Sequence, residues 1–327
     1  MSDQPGSSEF PRGTRIRQHS ANLGTMRRRS RRMRGRTESK SRAQLTSIPD
    51  NAGGIRSIIE VPLRYLSASI VVVLSLVMAT AYSITQLRDV VTITVIFAIL
   101  ILANGWSGLV HAPNRYPAAI TATLIGVSTV FAVRVTDDMA WGTVALGAAV
   151  LVAAIVEMGR PQPREELVES ISASVTAGLT AILGSAWVSL TTSPLWSVIL
   201  IGAAVVTSLT VVGNQFGSSV RANAVGSLGV GTAAGLFMGG VAALLGQDTH
   251  IIALAFPSLP GSLSPTVSIV VTSGVLGLAI GAVIAIVDGL VGEHNRRCTE
   301  AGAFARGATK FLMAVVPIYI LVHIGAL

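Results

Sequence analysis

The stretch "TVSIVVTSGVLGLAIGAVIAIVDGL", residues 266–290, contains no charged side chain before Asp288. An apolar run of this length is enough for a helix to cross the hydrocarbon core of a bilayer, which is about 30 Å thick. Blocks of about 20 apolar residues recur along the chain from residue 66 onward. Because these blocks are continuously apolar rather than alternating, they predict an all-α polytopic membrane bundle and disfavour a β-barrel.

Composition and charge agree with a membrane protein. The 327 residues are 51% hydrophobic and only 12% charged, whereas soluble domains average roughly 25% charged residues. Residues 1–64 hold 14 Lys/Arg and 5 Asp/Glu, a formal charge of +9, while the rest of the chain holds 10 and 11, a charge of −1. The basicity therefore belongs to the N-terminal tail and not to the apolar body.

The apolar pattern predicts nine transmembrane helices. They cover approximately residues 66–86, 90–111, 116–135, 140–158, 168–190, 194–213, 222–245, 266–290 and 308–326. The apolar but proline-rich segment 246–265 is too interrupted to span, so it is either a re-entrant loop or a cap outside the membrane. The transmembrane domain is predicted to cover residues 55–327.

The loop charges predict the orientation of the helices. With the N-terminus in the cytoplasm, eight basic residues of the short loops lie inside, against two outside, Arg88 and Arg134. The eight inside residues are Arg115, Arg160, Arg164, Arg221, Arg296, Arg297, Arg306 and Lys310. This asymmetry follows the positive-inside rule. We expect a multi-pass protein of the inner (plasma) membrane.

Residues 1–54 are predicted to be a disordered, arginine-rich cytoplasmic tail, because they contain too few apolar residues to form a core. The segment "MRRRSRRMRGR", residues 26–36, suits contact with anionic lipid headgroups beside the first helix. No aromatic residue interleaves with its arginines, which disfavours specific nucleic-acid binding. The residues expected at the membrane surface are Arg27, Arg28, Arg29, Arg31, Arg32, Arg34 and Arg36.

Few ionisable residues fall inside the predicted helices. Asp288 lies near the cytoplasmic end of the eighth span and Glu157 closes the fourth, so both are either helix-end charges or functional groups. No charge falls at the middle of a span, which weakens the case for an ion-coupled pump. There is no His-x-x-x-His or Cys-x-x-Cys pair, and we predict no metal site and no cofactor.

Glycine is abundant in the seventh and eighth spans. Gly231, Gly235 and Gly239 recur every four residues, and Gly277 and Gly281 repeat this spacing. Small residues at such intervals let two helix backbones approach closely. The spacing predicts tight packing between these spans, with a substrate groove as the alternative.

Two cytoplasmic segments suggest a family. The loop "GNQFGSSVRANAVG", residues 213–226, precedes a glycine-rich helix, and "VDGLVGEHNRR", residues 287–297, precedes the last span. In this order and topology the chain resembles the phosphatidate cytidylyltransferases (CDP-diacylglycerol synthases). The resemblance implies a nucleotidyl transfer that needs carboxylates for a divalent metal and cations for phosphates. Its catalytic motifs are degenerate here, since Asn214 replaces the first aspartate and the family's lysines are missing.

Three functional hypotheses remain open on the sequence. The first is a permease-like or lipid-handling membrane protein without covalent chemistry, and the second is an active or inactive relative of the nucleotidyltransferases. The third is a scaffold for an envelope-assembly complex with protein partners in the membrane. The candidate residues for substrate or headgroup binding are Asp288, Arg296, Arg297, Arg221 and Asn214. The enzyme hypothesis expects Asp288, Asn214 and Arg221 to meet in one cytoplasm-facing cavity.

Overall fold

The computed structural model describes residues 52–112, 114–159, 166–217, 219–245, 264–292 and 299–325. All regular structure in these residues is helical. The helices are α1 (Ala52–Thr85), α2 (Arg88–Val110), α3 (Arg115–Thr136), α4 (Trp141–Met158), α5 (Leu167–Gly184), α6 (Ala186–Ser189), α7 (Pro194–Gly213), α8 (Val220–Leu244), α9 (Pro265–Gly292) and α10 (Glu300–Gly325).

Nine segments of the described residues are long and apolar enough to cross a membrane. They coincide with the predicted spans, and α5 and α6 together form the fifth, Leu167–Ser189. The predicted all-α polytopic architecture is therefore confirmed. The nine spans of the described residues all lie within Glu60–Leu327, which forms one compact unit.

Two helices begin earlier than the apolar pattern predicts. The first helix starts at Ala52, so the segment before the first span is helical and continuous with it. The last helix starts at Glu300, eight residues before the predicted start of the ninth span. The predicted tail up to residue 51, with its arginines, lies outside the described residues, as does the segment 246–263.

The core lies where α2, α3, α5, α6 and α10 pack together. Ile99, Leu102, Phe311 and Leu312 have no exposed surface. Trp187 of α6 is fully buried and stacks on Phe311 of α10 with ring centroids 5.5 Å apart. Its indole Nε1 donates to the carbonyl oxygen of Phe311 at 3.1 Å, so the tryptophan's one polar atom is satisfied inside the bundle.

Helices α8 and α9 form the most extensive helix pair of the described residues. A Cβ atom placed on Gly231 would lie 2.5 Å from the carbonyl oxygen of Gly277, and one on Gly281 would lie 2.5 Å from that of Ser227. A Cβ on Gly235 would overlap the carbonyl oxygen of Ser273. The backbones thus touch directly, and the predicted tight packing of spans seven and eight is confirmed.

Two ion pairs join α2 and α3 at the end of the bundle where α2 begins. Arg88 pairs with Asp137, which directly follows α3, and Arg134 of α3 pairs with Asp89 at 2.9 Å. The hydrogen bond from Arg88 is the main reason why the pKa of Asp137 lies below its ordinary value. The four residues are partly or largely exposed, so each pair contributes little to stability.

The Arg88–Asp137 pair should make a small, pH-dependent contribution to stability. Because the folded-state pKa of Asp137 is depressed, this contribution is present at neutral pH and is lost as the pH falls through that lowered pKa. A double-mutant cycle with Arg88→Gln and Asp137→Asn, measured by unfolding at several pH values, should show a coupling that disappears in acid. A coupling that persists unchanged after Asp137 is protonated would contradict this interpretation.

Candidate functional site

Three helices bring one carboxylate and two cations together at the end of the bundle where α7 and α9 end. Asp288 lies one turn before the end of α9, and Asn214 directly follows α7. Arg306 and Lys310 lie four residues apart in the first half of α10, a spacing that places them on the same helix face. We call these four residues the Asp288 cluster.

Both oxygens of the Asp288 carboxylate are engaged. Arg306 donates from Nε to Oδ1 at 2.9 Å, and its Nη2 lies 2.8 Å from the same oxygen. The Nζ of Lys310 lies 2.8 Å from Oδ2 and 2.7 Å from Oδ1. The side-chain amide of Asn214 donates to Oδ2 as well. Asp288 thus fixes α7 and α10 relative to α9.

The cluster is largely withdrawn from solvent. Asp288 is 6% exposed and Lys310 is 2% exposed, whereas the side chain of Arg306 is 12% exposed. Burial of charges is costly, and pairing with hydrogen bonds is what makes it tolerable. Together, the carboxylate of Asp288 and the two cations that share it carry a formal charge of +1. Arg306 is the more exposed of the two cations in the cluster.

This arrangement suits the binding of an anion better than the binding of a metal. A divalent cation would have to displace the cations from both oxygens of Asp288. Among the residues that the structure describes, no three His, Cys, Asp or Glu side chains are grouped so that they could hold a metal ion. The divalent metal implied by the cytidylyltransferase resemblance therefore does not fit these residues.

The structure brings together two of the five residues proposed as a binding site from the sequence. Asp288 and Asn214, 74 positions apart in the chain, are in direct contact. Arg221, the second residue of α8, is exposed and takes no part in the Asp288 cluster. Arg296 and Arg297 lie outside the described residues.

Arg306 and Lys310 are the residues that the sequence reasoning did not include in the site. The sequence pattern places both among the cytoplasmic loop charges, since Arg306 precedes the predicted last span, 308–326, and Lys310 is only its third residue. The helix starts at Glu300 and carries both cations within it. The available signal was their four-residue spacing in "ARGATK", residues 305–310, next to an apolar run.

A second buried carboxylate lies at the end of α4. Glu157 is 1% exposed, and the hydroxyl of Ser170 on α5 donates to its Oε2 at 3.0 Å. Ser170 is itself buried, so this bond links α4 to α5. Both buried carboxylates therefore join neighbouring helices near span ends, where partial hydration lowers the cost of a charge.

Comparisons of the chain with protein-family models, with curated proteins and with solved structures find no match. The chemistry of the Asp288 cluster and the arrangement of the helices around it are therefore the observations that bear on function. The resemblance to the phosphatidate cytidylyltransferases stays a prediction from the sequence.

Proposed function

We propose that this chain is a lipid-handling membrane protein that binds the anionic headgroup of a lipid at the Asp288 cluster, without covalent chemistry. The observation that carries the proposal is the buried carboxylate of Asp288 held by two cations, Arg306 and Lys310. The formal charge of +1 in a poorly hydrated place favours an anionic ligand.

A phosphate-bearing headgroup matches the cluster both in chemistry and in the depth at which the cluster lies in the membrane. Guanidinium and ammonium groups are the usual partners of phosphate oxygens. The cluster lies where the sixth and eighth spans end, and headgroups meet a membrane protein at span ends. Asp288 would then hold the two cations in place, while the partly exposed Arg306 contacts the phosphate.

The distribution of charge favours a lipid over a small polar solute. Away from the Asp288 cluster, the charged residues in the described spans lie towards the two ends, with Arg88, Asp89 and Arg134 at one end and Glu157 near the other. Lys310 is the eleventh of the 24 residues in the last span, but its Nζ bonds to Asp288, three residues before the end of the eighth span. The middle of the other described spans offers no charged side chain for a solute on a path across the membrane. A lipid headgroup bound at one end needs no such path.

The test is lipid binding to the purified protein by native mass spectrometry. We expect preference for phosphatidate or phosphatidylglycerol over phosphatidylcholine, and loss of that preference in Arg306→Gln. Since hydrogen bonds to charged groups contribute roughly 1.5–3 kcal/mol, the affinity for anionic lipid should fall about ten- to hundredfold. The matched control is Arg221→Gln, which removes an exposed arginine outside the cluster.

Two results would overturn the proposal. One is equal binding of anionic and zwitterionic lipids by the unaltered protein. The other is an equal loss of binding in Arg306→Gln and Arg221→Gln, because that would assign the preference to general surface charge instead of the Asp288 cluster.

A second candidate function is nucleotide binding by a relative of the phosphatidate cytidylyltransferases. The contact between Asn214 and Asp288 favours it, because the two family-like segments meet there. Calorimetry with CTP and magnesium tests this candidate, with Asp288→Asn as the control. Binding that is lost while the variant remains folded would support it, and no binding by the unaltered protein at millimolar CTP would reject it.

A further inference from the structure

An apolar slot lies between α7, α8 and α9, away from the Asp288 cluster. Its volume is about 290 Å³. The walls are aliphatic side chains and glycine backbone, and Ser273 is the one polar side chain among the described lining residues. Representative wall residues are Val198 and Val206 of α7, Met238 and Val241 of α8, and Leu276 and Ile280 of α9.

The slot exists because α7 and α8 diverge. Near the Asp288 cluster they touch, since a Cβ on Gly213 would lie 2.5 Å from the Cβ of Val230. One turn further along, a Cβ on Gly231 would lie 3.2 Å from the Oγ1 of Thr210. At Gly202 the nearest side-chain atom is the Cε of Met238, 3.8 Å from where a Cβ would stand. The slot is therefore closed towards the Asp288 cluster and widens in the opposite direction.

The slot is elongated along the helix axes. Its wall on α7 extends from Val198 to Val206, which is about 12 Å along the helix, and its wall on α8 extends from Gly235 to Ala242, about 10 Å, with Leu245 directly after the helix. The described lining residues other than Leu245 lie within membrane spans. The hydrocarbon chains of membrane lipids match the slot, because they are apolar, run roughly parallel to the membrane-spanning helices and surround them in the bilayer.

We infer that the slot binds one hydrocarbon chain of a membrane lipid, which enters from the leaflet opposite the Asp288 cluster. A polar solute would leave its hydrogen bonds unmade against these walls. A hydrocarbon chain in the slot fills space between α7 and α8 that the side chains of the described residues leave open, and gains dispersion contacts along its length. This site for a hydrocarbon chain is separate from the proposed headgroup site. Asn214 lies eight residues after Val206, which is about 12 Å along the helix axis.

Photolabelling in nanodiscs tests the inference. The probe is a phosphatidylcholine with a diazirine near the end of one acyl chain, and labelled peptides are identified by mass spectrometry. We expect labels concentrated on residues 198–206 and 235–245. Gly202→Leu, which puts an isobutyl group into the slot, should reduce that labelling at least fivefold. Gly229→Leu is the matched control, because a Cβ on Gly229 meets no atom within 4 Å and Gly229 does not line the slot.

A second variant keeps the test decisive if Gly202→Leu fails to fold. Ala242→Leu fills the slot from the α8 wall and should reduce labelling in the same way. Even labelling of all lipid-facing helices, or labelling of the slot that neither variant reduces, would overturn the inference. So would conversion of a dimer into a monomer by Gly202→Leu without loss of label, since the occupant would then be a second copy of the chain.

Different results would reject the headgroup site and the hydrocarbon-chain site. The probe is zwitterionic, so Arg306→Gln should leave labelling of the slot unchanged. Labelling that is lost in Arg306→Gln but retained in Gly202→Leu would reject the independent chain site and leave the headgroup site standing.

Discussion

Asp288→Asn should destabilise the folded protein by about 3–5 kcal/mol, because it removes the carboxylate from two buried cations. The substitution changes the formal charge of the Asp288 cluster from +1 to +2 and leaves the shape of the side chain almost unaltered. Lys310 is 2% exposed, so water has little access to its ammonium group. The loss is an electrostatic effect and not a packing effect.

Two further variants test whether the loss of stability comes from the unbalanced charge. Lys310→Met leaves Asp288 paired with Arg306, so it should cost clearly less than Asp288→Asn. Combining Asp288→Asn with Lys310→Met should restore part of the stability, since only the partly exposed Arg306 then lacks its partner. Unfolding in mixed micelles measures all three variants, and the interaction between the two sites should be strongly non-additive. Additive losses would show that the ion pairs do not stabilise the fold.

Gly277→Leu should prevent the close pairing of α8 and α9. A Cβ on Gly277 would overlap the carbonyl oxygen of Gly231 and would lie 2.9 Å from its carbonyl carbon. These are backbone atoms, so no side-chain rotation relieves the overlap and the two helices must move apart. The smaller change Gly277→Ala should cost about 1–3 kcal/mol. That figure is the net effect after a gain in helix propensity of up to about 1 kcal/mol.

Gly229 supplies the control for this prediction. It lies on α8, two residues before Gly231, but a Cβ there meets no atom within 4 Å. Gly229→Ala should therefore be neutral or slightly stabilising, and the two alanine variants should differ in sign. Equal effects of Gly277→Ala and Gly229→Ala on unfolding would contradict the backbone contact between α8 and α9.

The number and placement of the spans could be predicted from the sequence because membrane insertion depends on local properties. Each span can be recognised from its own run of about 20 apolar residues, independently of the helices that pack against it. The backbone contact between α8 and α9 was also predictable, because the four-residue glycine spacing is a local pattern with few structural explanations.

The composition of the site could only partly be predicted, because ion pairing is a property of the fold. Asp288 is a visible candidate as a carboxylate at the end of an apolar run, and Asn214 occupies a family-like position. The sequence does not say which of the basic residues near the membrane surface reaches Asp288. The two that do are Arg306 and Lys310. Because charged residues lower the hydropathy of the segment around them, the pattern predicts that the last helix starts after Glu300, where the structure has its first residue.

The most direct test of the proposed headgroup site is an electron cryomicroscopy map of the protein in nanodiscs that contain phosphatidate. We expect headgroup density with a phosphate oxygen within hydrogen-bonding distance, about 3 Å, of the Arg306 guanidinium. Asp288 should still hold Lys310 in that map. The contradictory result is an Asp288 cluster closed on itself with no headgroup density at Arg306, while phosphatidate is ordered elsewhere on the protein surface.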